Sequence, residues 1–243
     1  MPENTDRTQA RRAKVAQLRE QDEAARARRR NLTVTLTVIG VFVVVAAAMF
    51  AAIRLSGPDQ QPVAAGESQY VRADSHKLQT AADGKVTLVE FLDFECEACR
   101  AAFPVVEGLR KQYAGKVTFV ARYFPLPGHF NAERAARAVE AAAAQGKFEA
   151  MYQRMYETQT QWGEKQVPAD DVFRGFARDL GLDMAAWEKA YNDPATLERI
   201  NKDVADGQAL GVTGTPTFFL DGERLQPQSE ADFKAAIDAA LAG

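Results

Sequence analysis

Val86–Arg100 reads VTLVEFLDFECEACR, and its reading decides the fold. The run from Val86 to Phe94 is rich in β-branched and aromatic residues, with few polar groups inside it. That pattern predicts a strand buried on both faces. Beyond it, Ala101, Phe103, Val106 and Leu109 recur at helical spacing, so the Cys96-Glu97-Ala98-Cys99 segment sits where a strand turns into a helix. Free N–H groups and the helix dipole at such a position stabilise a thiolate on Cys96. Cys99 lies about one turn further in, within reach of Cys96. Two thiols held this way can cycle between dithiol and disulfide.

Around this stretch the chain alternates in type. Lys116–Phe124 (KVTFVARYF) predicts a second strand, ended by Pro125 and Pro127-Gly128. A helical block follows. Asn131 is placed to cap a helix through Ala144, and Gly146 breaks it. Phe148, Met151, Tyr152 and Met155 mark the next helix, and Pro168–Leu180 a third. Asp183 caps a fourth around Trp187 and Tyr191, and Asp193-Pro194 opens a fifth that ends at Gly211. The Met and aromatic residues here repeat at helical spacing and read as core. Thr217–Leu220 is a strand, Asp221-Gly222 a hairpin turn, and Glu223–Gln226 the returning edge. Ser229 caps a last helix, with Asp232 in the capping-box position and Phe233, Ile237 and Leu241 facing inward. Tyr70–Lys85 is short and mixed, with Asp83-Gly84 as a turn signal.

The N-terminal part is of another kind. Met1–Arg30 carries nine Lys and Arg against five Asp and Glu, a net +4; with −3 for the whole chain, residues 31–243 carry −7. That acidic balance argues against nucleic acid as a partner of the globular part. Asn31–Ile53 is 23 residues without a charge. As a helix it spans roughly 34 Å, enough to cross a bilayer core. Arg28–Arg30 precede it, so residues 1–30 read as a cytoplasmic basic tail and the rest as exported. A cleaved signal peptide competes with an uncleaved anchor, but its apolar region is usually shorter. Residues 54–69, with Gly57-Pro58, Pro62 and Gly66, read as a linker. Beyond the membrane disulfides persist.

Cys96 and Cys99 are the only cysteines, and His76 and His129 the only histidines. A structural metal needs about four ligands, so this set argues against a metal site. A purely structural disulfide across so short a loop would add little stability. No nucleotide or flavin signature is present, so the expected cofactor complement is none beyond the cysteine pair.

VEFLDFECEAC followed far downstream by GVTGTPTFFLDGERL resembles the DsbA family of thiol–disulfide oxidoreductases, a branch of the thioredoxin fold. The resemblance covers about Tyr70 to Gly243. It implies an α/β thioredoxin-like domain over 70–243 with an α-helical insertion at about 131–192, preceded here by one transmembrane helix at 31–53. About 110 residues separate Cys99 from Pro216, room for that insertion. The resemblance makes Cys96 the exposed nucleophile and Cys99 the resolving cysteine. It makes Pro216 a cis-proline facing them, with the Thr215 backbone placed to pair with an extended client. Glu90, six residues before Cys96, matches a buried acid of many thioredoxin-like proteins. Alternation puts it on the face opposite Val89 and Phe91, and burial should raise its pKa, so that it exchanges a proton with Cys99.

One departure is visible. Strongly oxidising members often carry His between the cysteines. Here the pair is Glu97-Ala98 with Glu95 before it, and two carboxylates near Cys96 oppose its thiolate unless they point away, implying a less oxidising disulfide. The expected activity is disulfide formation in exported client proteins by a membrane-anchored, monomeric ectodomain, with an integral membrane redox partner reoxidising the pair. A reductase or isomerase using the same cysteines is one alternative, and a non-enzymatic client-binding chaperone the other.

Overall fold

The computed structural model describes residues 68–82 and 84–243. The basic tail, the expected membrane span and almost all of the expected linker lie outside the described residues. No described helix is long and apolar enough to cross a membrane.

Five strands form one sheet. They are β1 (His76–Gln79), β2 (Val86–Leu92), β3 (Val117–Tyr123), β4 (Thr217–Leu220) and β5 (Glu223–Leu225), in the spatial order β1-β3-β2-β4-β5. The strand that opened the sequence reading is therefore the central one. It pairs parallel with β3, Glu90 opposite Ala121, and antiparallel with β4, Glu90 opposite Phe218. Parallel neighbours need a crossover, and α1 (Glu97–Gln112) supplies it. Between β3 and β4 run α2 (Ala132–Ala143), α3 (Phe148–Trp162), α4 (Asp170–Asp179), α5 (Met184–Asn192) and α6 (Pro194–Ala209). The chain ends with α7 (Glu230–Ala242).

The caps at Asp183, Asp193 and Ser229 form as expected: their side chains accept from the N–H groups of Ala186, Ala195 and Asp232. Asn131 does not cap α2. It is fully buried, and its amide bridges to the segment before α4, donating to Lys165 O and Val167 O and accepting from Ala169 N. The sequence reading also passed over β1. In its four residues only Leu78 is buried, too short a pattern to register as alternation. The main strand stops at Leu92, two residues earlier than expected, because Asp93 and Phe94 turn towards the helix.

Alternation along β2 sorts two cores. Leu88 and Leu92 join the large cluster with α1 and the helices α2–α5, while Val89 and Phe91 pack with Val120, Phe124, Val212 and Phe219. Helix α6 lies against this second face, and Gly207 sets how near it comes. A Cβ there would stand 2.8 Å from the Phe124 ring and 3.0 Å from Phe91. The same face buries Arg122 completely. Its guanidinium meets Asp203 at 2.7 Å and Asp206 at 2.6 Å, both on α6, and donates to the carbonyls of Gln69 and Tyr70. One buried cation thus ties β3, α6 and the segment entering the domain. A methyl group at Gly207 is expected to overpack this contact, costing about 1–3 kcal/mol for Gly207→Ala. Removing the Arg122 charge (Arg122→Met) leaves buried carboxylates short of a partner and is expected to cost more, about 3–5 kcal/mol. Denaturant unfolding of both variants checks the order.

Candidate active site

β2 and α1 meet at the turn Asp93–Cys96, and the turn is held from several sides. The Asp93 carboxylate accepts from Glu95 N (2.8 Å), Leu126 N (2.9 Å) and His129 Nδ1 (2.6 Å). The Asp93 carbonyl accepts from Cys96 N at 3.2 Å. Glu95 is buried and turned away from the cysteines, one oxygen accepting from Asn131 N at 2.5 Å and the other from Glu164 N at 3.1 Å. Gln159 of α3 donates to the carbonyls of Phe94 (2.7 Å) and Cys96 (2.9 Å) and accepts from Arg100. Helix α3 therefore fixes the carbonyls on both sides of Glu95.

Cys96 occupies the N-cap of α1, with extended backbone. As a thiol it makes no cap hydrogen bond; it donates instead to the Thr215 carbonyl at 3.3 Å. Thr215-Pro216 is a cis peptide. The Thr215 hydroxyl is buried and makes no hydrogen bond among the described residues. Ionised, the sulfur has several donors. A hydrogen bond from the Cys99 thiol lowers its pKa most. Burial opposes the charge, and the Thr215 hydroxyl and the N–H groups of Cys99 and Ala98 add to the lowering, so the Cys96 thiol falls to about 5. Cys99 moves the other way. Burial, its bond to Cys96 and the negative potentials of Glu90 and Cys96 push it well above the ordinary thiol value. One cysteine is thus a thiolate at neutral pH and the other a protonated thiol.

Glu90 lies on the central strand, on the Leu88–Leu92 face, and is 5% exposed. Burial, with smaller contributions from Cys96 and Glu107, raises its carboxyl to about 8. A carboxyl that is neutral at pH 7 and ionises just above it can give a proton to one state of the pair and take it from the other.

Two expectations are corrected. Cys96, expected exposed, is 7% exposed, tucked against Thr215, while Cys99 is 0% exposed. The two acids do not oppose the thiolate: Glu95 spends both oxygens on backbone donors of distant loops, and Glu97 is solvent-exposed in the first turn of α1. Sequence reasoning missed Asp93, Gln159 and His129. Asp93 meets Leu126 and His129, and Gln159 meets Phe94 and Cys96, across 33 or more residues of chain, and only the isolated histidine after Pro127-Gly128 was a signal, weighed there solely as a metal ligand. His76 is used elsewhere, paired with Glu140 at 2.6 Å and stacked on Phe148.

A cavity of about 270 Å³ lies at Pro216, lined also by Ala102, Thr217, Phe218, Arg224, Leu225 and Phe233 among others.

A family profile described as Thioredoxin matches residues 78–239. A thioredoxin-like oxidoreductase from Silicibacter pomeroyi has a similar structure, 28% identical, with a TM-score of 0.59 over 70% of this chain and 93% of that one. The α-DsbA1 of Wolbachia pipientis, 17% identical, superposes with a TM-score of 0.63 over 71% of this chain and 93% of its own. Among curated relatives, the Na(+)/H(+) antiporter NhaA of Herminiimonas arsenicoxydans is 35% identical over 64% of this chain but only 24% of its own length. The chain spans about a quarter of the curated relatives it matches, and the antiporter name describes those longer proteins.

The raised Glu90 pKa has a consequence for stability. From an ordinary value of 4.5 to about 8 in the fold, the group binds a proton more tightly folded than unfolded. Its cost to folding is absent below pH 4.5 and grows as pH rises towards 8. Glu90→Gln is therefore expected to stabilise the protein by roughly 2–3 kcal/mol at pH 7 and by almost nothing at pH 4. Denaturant midpoints at the two pH values check the sign.

Proposed function

The chain belongs to the thioredoxin family and carries the DsbA-like form of its fold, and from that premise we propose that it is a membrane-anchored, extracytoplasmic thiol–disulfide oxidoreductase that forms disulfides in exported proteins. The observation that carries the reading is the asymmetry of the pair: Cys96 held as a thiolate with a pKa of about 5, Cys99 buried and held as a thiol.

The cycle follows from that asymmetry. A client thiolate attacks Cys96 of the Cys96–Cys99 disulfide. The Cys96–client bond forms, and Cys99 leaves and takes a proton, for which the neutral Glu90 carboxyl is the donor. A second client thiolate then attacks the client sulfur of the mixed disulfide and expels Cys96 as its stabilised thiolate. A leaving thiol of low pKa departs faster. The client loses two electrons to the cysteine pair, and an integral membrane oxidase takes them up. The cavity at Pro216 suits an extended client segment, with Phe218, Leu225 and Phe233 offering apolar surface and Arg224, Gln226 and Gln228 polar groups.

Stabilising the reduced form makes a disulfide a stronger oxidant. With both Glu95 oxygens on distant backbone N–H groups and Glu97 exposed to solvent, the feature that favoured a reductase or isomerase loses its force. The Asn31–Ile53 span, with its preceding arginines, supports the membrane anchor and the outward placement of the domain.

Two variants of the full-length chain test the reading. Cys96→Ser is expected to abolish disulfide formation in exported proteins while the protein still accumulates. Cys99→Ser is expected to trap mixed disulfides with clients, visible on non-reducing gels and lost on reduction. Undiminished disulfide formation with Cys96→Ser would leave only a non-enzymatic, client-binding role.

A further inference from the structure

His129 sits on the β3–α2 connection, 33 residues beyond Cys96 in sequence, yet it is anchored to the active-site turn. Its Nδ1 lies 2.6 Å from an oxygen of Asp93. The Asp93 side chain is fully buried, and its carbonyl receives the Cys96 N–H at 3.2 Å. The imidazole remains partly open, 23% exposed, at the rim of a cavity of about 640 Å³. We propose that His129, held by Asp93, is a cation that stabilises the Cys96 thiolate from outside the Cys-x-x-Cys segment, in the place of a histidine between the cysteines. The inference rests on Cys96 being the nucleophile of the proposed reaction.

Three observations support it. First, the anchor favours a charged ring. Burial pushes the Asp93 carboxyl above its ordinary range, but Glu95 N, Leu126 N and His129 already supply three donors to its two oxygens and keep it an acceptor. Second, burial opposes the charge on His129, yet the hydrogen bond to Asp93 and the negative potentials of Asp93, Cys96 and Glu95 outweigh it and raise the imidazole above its ordinary value. Coupling between two sites is reciprocal: if the thiolate favours the imidazolium, the imidazolium favours the thiolate by the same amount. Third, the other charges around the ring are already matched. Across the cavity Arg134 pairs with Asp170, whose other oxygen takes the Tyr191 hydroxyl, and Arg137 pairs with Glu133. Each of these cations thus has its own carboxylate partner, and the charges that raise the imidazole are Asp93, Cys96 and Glu95.

The effect is secondary to the hydrogen bonds from Cys99 and Thr215, the two largest influences that lower the Cys96 pKa against burial. A coupling of about half a pKa unit, roughly threefold in either protonation equilibrium, is the size expected for charges in this partly open setting. Its pH dependence has a definite sign. Cys96 titrates near 5, where His129 is still charged; the support for the thiolate is complete there and is lost as pH rises through the His129 pKa.

The coupling can be read from both ends in the full-length chain. His129 and His76 are the only histidines, so NMR titration resolves both. Closing the Cys96–Cys99 disulfide removes the thiolate, and the His129 pKa is expected to fall by about half a unit while His76 stays put. Equal His129 values in the reduced and oxidised protein, or equal shifts at both histidines, would overturn the proposal, and this arm needs no substitution. From the other end, thiolate absorbance at 240 nm is expected to show Cys96 titrating about half a unit higher in His129→Gln and at its wild-type position in His129→Lys. A Gln variant that titrates like wild type, or a Lys variant sharing the Gln shift, would reduce His129 to a structural tie. A wild-type Cys96 that titrates near 9 would remove the proposed reaction as well, whereas a wild-type value near 5 with an unresponsive His129 removes only this inference.

Discussion

The Cys96 sulfur lies 3.3 Å from the Thr215 carbonyl although 119 residues separate the two positions. That contact requires the end of the central strand, the start of α1 and the approach to β4 to converge on one point. The sheet provides for it: β2 lies between β3 and β4, so the residues just past β2 and those just before β4 emerge side by side at one edge. The chemistry depends on this convergence. A lone helix terminus lowers a thiol pKa; a terminus faced by a second thiol and a buried hydroxyl, within a fixed turn, separates two neighbouring cysteines into a thiolate and a thiol.

Rigidity at this point comes from polar groups drawn out of the helical segment. Gln159 of α3 grips two carbonyls of the turn, and Glu95 reaches back to the N–H groups of Asn131 and Glu164. Buried polar atoms must be paired, and here the pairing also orients: spending both Glu95 oxygens on distant loops keeps its charge off Cys96. A residue that looked adverse in the sequence is a brace in the structure. On the opposite face of the sheet, Arg122 with Asp203 and Asp206 plays a similar part, closing α6 onto β3 with its guanidinium 5.4 Å from the centre of the Phe91 ring.

Much of this was legible in the sequence wherever the signal is local. The central strand, the helix opening at the cysteines, the caps at Asp183, Asp193 and Ser229, and the inward face of Glu90 all follow from periodicity and capping chemistry over a few residues. The resemblance added the cis-proline, which no local pattern reveals. What stayed hidden are pairings whose partners lie 30 or more residues away. Asn131 has the type of an N-cap but serves another loop, because its buried amide finds three backbone partners there. Asp93 fell within the expected strand and Glu95 read as an acid opposing the thiolate, and only the fold shows the N–H groups they accept from. β1 went unseen because one inward residue in four carries no period.

The central claim is that the architecture stabilises the reduced form of the pair through the Cys96 thiolate, which makes its disulfide an oxidant. The equilibrium reduction potential of Cys96–Cys99 against glutathione, in the full-length protein, tests it most directly. The expected value is nearer to about −120 mV, that of DsbA, than to about −270 mV, that of thioredoxin. A value at the thioredoxin end would contradict it, since a thiol held near 5 against a buried partner could not then be the feature that sets the direction of electron flow.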